Sequence, residues 1–349
     1  MPTASDISGA VSGEEQKQKD DALARLRQSA KNGNVEAMSI LGRALVSGCD
    51  APHEPVEGVA LLTAAMEKGD AAATCVMATL SGAGAWAPQS WPKAMELLQL
   101  AAERGSKEAR DQLVMLAGDL ALADKARKGA TEPDIWRRLR ESVNLEKWVA
   151  PPPPVQICEA PRIYTSAKFT TPEVCDWLMS RCIGRLRPSM MFDGQKSNFN
   201  ATRTCSDFVF DMVSSGVILV LIRIKISLAT GQAVPQMEPP QIFHYALGQE
   251  IKPHHDFLYD GEHAYGHEGG YEGDRKATFL LYLNDDYEGG DLEFVYPKIK
   301  HRGKKGDGIF FASMKDGKPD PESLHGALPI TKGEKYILSQ WIHDRPFTA

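Results

Sequence analysis

"SLHGALPITKGEKYILSQWI", Ser323 to Ile342, contains two short apolar runs separated by a turn. The second run, "KYILSQWI", has the β-branched and aromatic residues that favour strands, and "TKGE" supplies the glycine typical of a turn. The sequence therefore predicts two adjacent strands, with His325 on the first and Lys335 at the start of the second. A histidine and a lysine brought together in this way are candidate binding groups.

Further β-rich runs precede this stretch, and Gly, Asp and Pro residues separate them. The further runs are Gln241 to Leu247, Ala277 to Asn284, Asp291 to Pro297 and Gly308 to Ser313. Together with the two runs described above, they give six predicted strands. Six or more strands with hairpin punctuation predict a double-stranded β-helix, that is, a jelly-roll barrel with flanking helices.

Two other segments are candidate helices. "FTTPEVCDWLMSRC" (Phe169 to Cys182) predicts a helix, with Thr170 or Thr171 as its N-cap and Pro172 in its first turn. The apolar run "GVILVLIRIKISLATG" (Gly216 to Gly231) fits either a strand or a buried helix when only its residues are considered.

"PHHDFLYDG", Pro253 to Gly261, is a candidate metal-binding segment. Two histidines and one carboxylate on one face of an octahedral ferrous ion leave three positions open for other ligands. A His-x-Asp pair supplies two of these groups, here His254 and Asp256, while His255 points elsewhere. The tripeptide alone is weak evidence for a metal site and is more typical of a solvated loop, but His325 offers the distant third ligand.

Two further residues fit this interpretation. A cation at Lys335 can reach the far carboxylate of a dicarboxylate that chelates the metal. Tyr245, on the strand that leads into the His254 loop, can add a hydrogen bond to the same carboxylate.

Four segments, in this order and spacing, resemble the prolyl 4-hydroxylase-like group of Fe(II)/2-oxoglutarate dioxygenases over about residues 165–345. The segments are "FHYALGQEIKPHHDF", "RKATFLLYLNDDYEGGDLEF", "KKGDGIFF" and "DGKPDPESLHGALPITKGEKYILSQWI". One departure stands out, because many relatives have "GGET.F" where this chain has "GGDLEF" (Gly289 to Phe294). The resemblance also favours a helix for Gly216 to Gly231.

The resemblance implies a set of site residues. The iron ligands are His254, Asp256 and His325, and the residues at 2-oxoglutarate are Lys335, Tyr245 and Tyr282. Arg203, in "TRTCS" (Thr202 to Ser206), is a candidate substrate contact. No catalytic residue beyond the metal centre is implied. The implied cofactors are Fe(II), 2-oxoglutarate and O2, with L-ascorbate as a reductant, and the implied products of 2-oxoglutarate are succinate and CO2.

The first part of the chain is Ala- and Leu-rich and repeats every 36 residues. The positions in register are Gly33, Gly69 and Gly105; Ala37, Ala73 and Ala109; and Leu41, Met77 and Leu113. Each repeat predicts a helical hairpin that buries its apolar face by stacking on its neighbours. "KAMELLQLAAERG" and its equivalents resemble Sel1-like repeats, a relative of the tetratricopeptide class.

These observations predict a multidomain α + β protein. Residues 1–19 are expected to be a disordered N-terminus, residues 20–120 a Sel1-like solenoid, and residues 121–155 a helical segment ending in the Pro-rich linker "APPPPV". Residues 156–349 are expected to be the dioxygenase domain. Met190 to Asn200 and Gly266 to Asp274 are expected to be mobile loops over the site.

Composition limits the possible partners. The 349-residue chain has a formal net charge of -6, which argues against general binding to nucleic acid or to an anionic membrane. Its one basic run, "KHRGKK" (Lys300 to Lys305), is interpreted as a hairpin tip. Gly216 to Leu228 is too short to span a bilayer and carries two cations. Six cysteines without a CxxC pair, and no export signal, predict a cytoplasmic protein with reduced thiols.

Three functions remain open from the sequence. The first is an oxygenase that hydroxylates a peptidyl proline and holds the protein target with its helical repeats. The second applies the same chemistry to a free amino acid or small metabolite, with the repeats as an assembly module. The third is a catalytically inert adaptor, against which the complete metal triad argues.

Overall fold

The computed structural model describes residues 13–130, 132, 134–189, 191–192, 197–198, 203–257 and 274–346. They form two compact units. A helical unit comprises the residues before Ala150 together with Asp211–Ile222, and a β unit comprises the remainder from Ala150 onward. Most of the two loops expected over the site lies outside the described residues.

The helical unit contains, in chain order, α1 (Gly13–Lys31), α2 (Val35–Ser47), α3 (Pro55–Glu67), α4 (Ala71–Ala83), α5 (Trp91–Glu103), α6 (Lys107–Leu116), α7 (Leu120–Arg127), α8 (Ile135–Glu141) and α9 (Leu145–Val149). Because α1 begins at Gly13, the disorder expected for residues 1–19 is wrong from that residue onward. Leu23 and Leu26 of the same helix pack against a buried cluster that includes Leu41 and Leu45 of α2.

The 36-residue repeat has a clear physical basis in this unit. The glycines that open the repeats share a left-handed backbone, with φ between 88° and 95°, which favours glycine: Gly33, Gly69 and Gly105. The residue after each glycine caps the next helix by accepting a hydrogen bond from the third amide beyond it: Asn34, Asp70 and Ser106. The amides belong to the predicted small residues, all of which are buried: Ala37, Ala73 and Ala109. The predicted helical repeats are therefore confirmed.

From Ala150 onward the chain contains β1 (Val155–Cys158), β2 (Ile163–Ser166), α10 (Pro172–Cys182), β3 (Arg187–Pro188), β4 (Met191–Phe192), β5 (Ser197–Asn198), β6 (Ser206–Val209), α11 (Met212–Thr230), β7 (Gln241–Tyr245), β8 (Ile251–His254), β9 (Arg275–Tyr282), β10 (Glu288–Gly289), β11 (Leu292–Phe294), β12 (Ile299–His301), β13 (Gly308–Ala312), β14 (Met314–Lys315), β15 (Lys318–Pro319), β16 (His325–Ala327), β17 (Ile330–Lys332) and β18 (Lys335–His343). Thr171 is the N-cap of α10, which is one of the two N-caps that the sequence predicted.

The helix prediction for Gly216 to Gly231 is confirmed by α11, although the backbone of Gly216 is not helical. The residues of α11 up to Ile222 group with the helical unit, and those from Arg223 onward group with the β unit. The amide of Ile218 donates to the buried side chain of Gln112 at 3.2 Å. The predicted dioxygenase limits of 156–349 therefore need one amendment, because the apolar first half of α11 packs within the helical unit.

By length and composition alone, α11 is also the one described helix that qualifies as a candidate membrane span. A core helix satisfies the same criterion. The side chains of Val217, Ile218, Leu219 and Ile222 are fully buried, which fits a core helix.

Two antiparallel sheets share one core in the β unit. The larger has the strand order β1-β2-β13-β9-β18-β7-β6-β3, and the smaller has the order β12-β11-β16-β8. Apolar side chains from both sheets meet in a single cluster that includes Phe243, Ile309 and Ile337 from the larger sheet and Leu292 and Phe294 from the smaller one. This arrangement confirms the predicted jelly roll.

Two local predictions are wrong. The run "LHGALPI" forms two strands, because β16 pairs with β8 and β11 while β17 pairs with β10. Since β16 and β18 lie in different sheets, the predicted pairing of the His325 and Lys335 strands does not occur. The basic run "KHRGKK" is not a hairpin tip either, because it joins β12 of the smaller sheet to β13 of the larger one.

Candidate metal and cosubstrate site

Three side chains converge where the smaller sheet ends. His254 closes β8 and His325 opens β16, and these two residues are direct partners across the strand pair. Asp256 follows His254 by two residues. The Nε2 atom of His254 lies 3.6 Å from one oxygen of Asp256, and the Nε2 atom of His325 lies 3.7 Å from the other. One ligand atom from each residue fits within 4.8 Å of the other two.

Backbone carbonyls orient both imidazole rings. The Nδ1 atom of His254 is 3.0 Å from the carbonyl oxygen of Lys252, and that of His325 is 2.9 Å from the carbonyl oxygen of Ser323. Because each Nδ1 atom is engaged, each Nε2 atom carries the lone pair and faces the shared centre.

The electrostatics of the triad favour the forms that bind a metal. Burial acts to raise the pKa of Asp256, but His325, His254 and a hydrogen bond from Thr278 outweigh it, so that this pKa lies well below its usual range. Burial lowers the pKa of His325 to about 4, against the opposing effect of Asp256. An ionised carboxylate and a neutral imidazole are both ready for metal coordination at neutral pH.

His255 points away from this centre, as its register predicts. Its Nε2 atom is 3.1 Å from the carbonyl oxygen of Pro321, and its ring stacks on Phe257 at a centroid distance of 4.5 Å. The structure therefore separates His254, the last residue of β8, from His255, which follows the strand and contacts Pro321 and Phe257 instead of the triad.

Lys335 is a buried cation, with 2 % of its surface exposed. Its ammonium donates to the carbonyl oxygen of Gly290 at 2.7 Å and lies 5.5 Å from the ring centre of Tyr245. Among the described residues no carboxylate forms an ion pair with it. A buried ammonium with only a carbonyl and aromatic neighbours is suited to receive an anionic ligand.

Tyr245 and Tyr282 flank Lys335 in different ways. Tyr245 is the direct cross-strand partner of Lys335, and both line the same cleft as the triad. Burial, with an added effect of the Cys205 thiol, raises the pKa of Tyr245 well above its usual range, so its hydroxyl remains a hydrogen-bond donor. The ring centre of Tyr282 lies 5.7 Å from the ammonium of Lys335, but Tyr282 is not among the residues that line the cleft.

Arg203 lines the cleft as well. Its guanidinium lies over the ring of Phe243 at 4.8 Å, and its buried Nε atom has no hydrogen-bond partner in the described part of the chain. The structure thus brings the triad, Lys335, Tyr245 and Arg203 together in one cleft and leaves Tyr282 just beyond it.

The comparisons with known proteins agree with this geometry. Residues 240–343 match the family model of the 2OG-Fe(II) oxygenase superfamily. Probable prolyl 4-hydroxylase 6 of Arabidopsis thaliana is 31% identical over 216 residues, which cover 55% of this chain and 72% of the relative. Probable prolyl 4-hydroxylase 9 of the same plant is 33% identical over 205 residues, with 53% and 69% covered.

The chain belongs to the 2OG-Fe(II) oxygenase superfamily. It is a 2-oxoglutarate-dependent dioxygenase of the prolyl 4-hydroxylase-like type, and its cofactors are Fe(II), 2-oxoglutarate and O2.

Two solved structures are each similar to part of this dioxygenase. A viral collagen prolyl hydroxylase from Paramecium bursaria Chlorella virus-1, in complex with 2-oxoglutarate, shares 25% identity over 53% of this chain and 98% of its own, with a TM-score of 0.41. A Sel1 repeat protein from Oxalobacter formigenes shares 22% identity over 34% of this chain and 98% of its own, with a TM-score of 0.28.

The residues of the dioxygenase fit its cofactors. Two imidazoles and one carboxylate around a shared centre form the donor set that ferrous oxygenases use. Lys335, buried without a carboxylate partner in the described residues, offers a charge for the distal carboxylate of 2-oxoglutarate.

Sequence reasoning missed several residues that hold the site in place. The hydroxyl of Thr278 donates to Asp256, and the ring of Phe311 packs against that of His325 at 4.6 Å. A signal for Thr278 was present, because it is the polar residue on the inward-facing side of a strand that otherwise presents Leu280 and Tyr282. The carbonyl oxygen of Gly290 left no such signal, since a backbone acceptor is not visible in a residue pattern.

We predict that the affinity for 2-oxoglutarate falls as pH rises through about 8. Burial is the main cause that lowers the pKa of Lys335 from 10.5 to about 8. The neutral amine present above that pH cannot attract a carboxylate. The stability of the ligand-free protein changes in the opposite direction. Between about pH 8 and pH 10.5 Lys335 binds more protons in the unfolded chain than in the folded protein, so the free energy of unfolding rises with pH.

The measurement is KM for 2-oxoglutarate at about pH 7 and about pH 9 in the wild type and in Lys335→Arg, whose guanidinium stays charged at both values. We expect KM to rise in the wild type and to stay nearly constant in Lys335→Arg. An equal rise in both proteins would show that another group titrates.

Proposed function

We propose that this dioxygenase hydroxylates a proline residue within a peptide or protein, with conversion of 2-oxoglutarate to succinate and CO2. The observation that carries the proposal is one cleft with the metal triad on one side and the buried Lys335 ammonium on the other. Relatives at 31% and 33% identity that are named as probable prolyl 4-hydroxylases support the choice of proline.

In this proposal the chain supplies geometry to a reaction whose oxidising chemistry comes from iron, 2-oxoglutarate and O2. His254, Asp256 and His325 would hold the metal through two imidazole nitrogens and one carboxylate oxygen. Lys335 and Tyr245 orient the distal carboxylate of the cosubstrate. The apolar side chains of the cleft exclude water from the reacting atoms: Leu280, Leu292, Ile337 and Trp341.

The orientation of the distal carboxylate depends more on Tyr245 here than it would beside a bidentate anchor. Lys335 is a single point charge, whereas an arginine would fix both carboxylate oxygens. At the departure "GGDLEF", the side chain of Leu292 lines the cleft and offers no hydrogen bond. The Tyr245 hydroxyl therefore becomes the second polar contact that we assign to the distal carboxylate.

Arg203 and the helical repeats are assigned to the target. Arg203 lines the cleft without an ion-pair partner among the described residues, which suits contact with a substrate carbonyl or carboxylate. Stacked helical hairpins form elongated surfaces that accommodate extended peptides, so we infer that the repeats hold the target chain. A cytoplasmic setting is part of the proposal, supported by six cysteines that are scattered along the sequence without a CxxC pair. L-Ascorbate as a reductant is a further part.

The test uses the full chain with Fe(II), 2-oxoglutarate and peptides that contain proline, beside matched peptides with alanine in its place. We expect the mass of one oxygen atom to appear on proline, to be absent from the alanine peptides and to be lost in Asp256→Ala. KM should fall as the peptide lengthens if the repeats hold the target. Oxygen on a free amino acid or small metabolite, with none on any peptide, would contradict the proposal.

A further inference from the structure

An ion pair adjoins the backbone group that holds Lys335. The ammonium of Lys335 donates to the carbonyl oxygen of Gly290 at 2.7 Å, and the next residue in the chain is Asp291. The carboxylate of Asp291 accepts two hydrogen bonds from Arg302, one from Nε at 2.9 Å and one from Nη2 at 2.8 Å. A bidentate pair fixes the orientation of both partners as well as their separation. The residue that follows the acceptor of Lys335 is therefore held in a defined orientation.

The pairing of β11 with β12 explains why Arg302 meets Asp291. Leu292 on β11 is the direct cross-strand partner of His301 on β12. The two strands run in opposite directions, so the residue before Leu292 and the residue after His301 are the next to face each other. These residues are Asp291 and Arg302, and both side chains are partly exposed. The ion pair thus acts on Gly290 from the edge of the smaller sheet and not from within the core.

The backbone at Gly290 needs this support. Gly289 and Gly290 both have a left-handed backbone, with φ of 75° and 66°, and glycine is the residue with the least intrinsic rigidity. The amide of Gly290 donates to the carbonyl oxygen of Pro329 at 3.0 Å, and the amide of Leu328 donates to that of Asp291 at 2.9 Å. Together with the ion pair, these two hydrogen bonds determine the direction of the Gly290 carbonyl group.

Asp291 and Arg302 also act on the charge of Lys335, in opposite directions. Burial is the main cause that lowers the pKa of Lys335 to about 8, and Asp291 opposes this effect while Arg302 adds to it. The other titratable groups around Lys335 are the hydroxyls of Tyr245, Tyr282 and Tyr287, the thiol of Cys205 and the imidazole of His301. Burial raises the pKa of these hydroxyls and of the thiol and lowers the pKa of the imidazole, so these groups are neutral near pH 8.

We propose that Asp291 and Arg302 are positioning residues for 2-oxoglutarate. Their ion pair orients the carbonyl group of Gly290 toward the ammonium of Lys335. Asp291 also favours the charged form of Lys335, while its two bonds to Arg302 keep the carboxylate from pairing with that ammonium. Neither Asp291 nor Arg302 is among the residues that line the cleft, so both act through Lys335. The proposal rests on the assignment of Lys335 as the anchor of the distal carboxylate.

The test is calorimetric titration of 2-oxoglutarate into the Mn²⁺-loaded full chain, from about pH 7 to about pH 9. The proteins are the wild type, Asp291→Asn and Arg302→Met, with Glu293→Gln and Lys300→Met as matched controls. Glu293 and Lys300 form the neighbouring cross-strand pair of the same two strands, and their ion pair is 3.3 Å long. The measurement needs no turnover and no target peptide, so its outcome does not depend on whether proline is hydroxylated.

The two charges should displace the pH dependence of binding in opposite directions. In the wild type we expect the affinity to fall as pH rises through about 8. The fall should occur at lower pH in Asp291→Asn and at higher pH in Arg302→Met, each by about half a pH unit or more. Both controls should keep the wild-type profile. Displacement in the same direction in both variants, or in neither, would overturn the proposal, as would absence of 2-oxoglutarate binding in the wild type.

Arg302→Lys separates the two contributions, because lysine keeps the charge and loses the bidentate geometry. We expect this variant to bind 2-oxoglutarate about threefold more weakly at about pH 7, the size of effect expected when one hydrogen bond is weakened. The pH at which its affinity falls should stay that of the wild type. Wild-type affinity in Arg302→Lys would overturn the positioning role of the ion pair.

Discussion

Replacing Asp256 with alanine is expected to abolish the Fe(II)-dependent consumption of 2-oxoglutarate. Asp256 supplies the negative charge of the triad, and its two oxygens face His254 and His325 at 3.6 and 3.7 Å. Loss of a residue that only supports a metal ligand typically lowers metal affinity or activity by about 10- to 100-fold. Loss of a ligand itself should therefore reduce the rate by more than about a hundredfold. The measurement is O2 and 2-oxoglutarate consumption in the presence of Fe(II).

His255→Ala is the matched control for this variant. His255 neighbours both ligands in the chain, but its ring stacks on Phe257 instead of facing the triad. We expect it to retain most of the activity. Loss of activity in His255→Ala with retention in Asp256→Ala would contradict the assigned register of the metal site.

Replacing Lys335 with methionine should raise KM for 2-oxoglutarate strongly while leaving metal binding nearly unchanged. Removing one partner of a buried charge pair typically costs about 2–5 kcal/mol, which corresponds to roughly thirtyfold or more in affinity. Methionine has an unbranched side chain of similar length, so the core beside Gly290 stays filled. The measurement is KM for 2-oxoglutarate together with the dissociation constant for Mn²⁺.

Lys332→Met is the control here. Lys332 lies on β17 near Lys335, but its ammonium is exposed and paired with Glu288 at 2.9 Å. Exposed pairs contribute little, so this variant should keep the wild-type KM. If Lys335→Met leaves KM unchanged, a different residue anchors the distal carboxylate.

Part of this site could be predicted from the sequence because it depends on the types of its residues and on their spacing along the chain. The spacing of His254 and Asp256, combined with strand alternation, already excludes His255. The order of Tyr245, the triad and Lys335 along the chain also predicts which residues bind the cosubstrate. These features depend on residue type and register, which a sequence displays directly.

Other parts depend on long-range arrangement and could not be predicted. The sequence suggested that His325 and Lys335 meet on paired strands, but they meet across two sheets, because the chain passes from β16 into β17 before it enters β18. Likewise, nothing in the residue pattern indicates that Asp211–Ile222 groups with the helical unit. An apolar segment displays its need for burial but not the surface that buries it.

The most direct test of the central claim, that one cleft joins a metal and the Lys335 anchor, is calorimetric titration of 2-oxoglutarate into the full chain with and without Mn²⁺. We expect the metal to tighten binding by about tenfold or more, because the same molecule must contact both ends of the cleft. Asp256→Ala should abolish this gain, and Lys335→Met should weaken binding both with and without metal. Equal affinity with and without metal, unchanged in Lys335→Met, would contradict the claim.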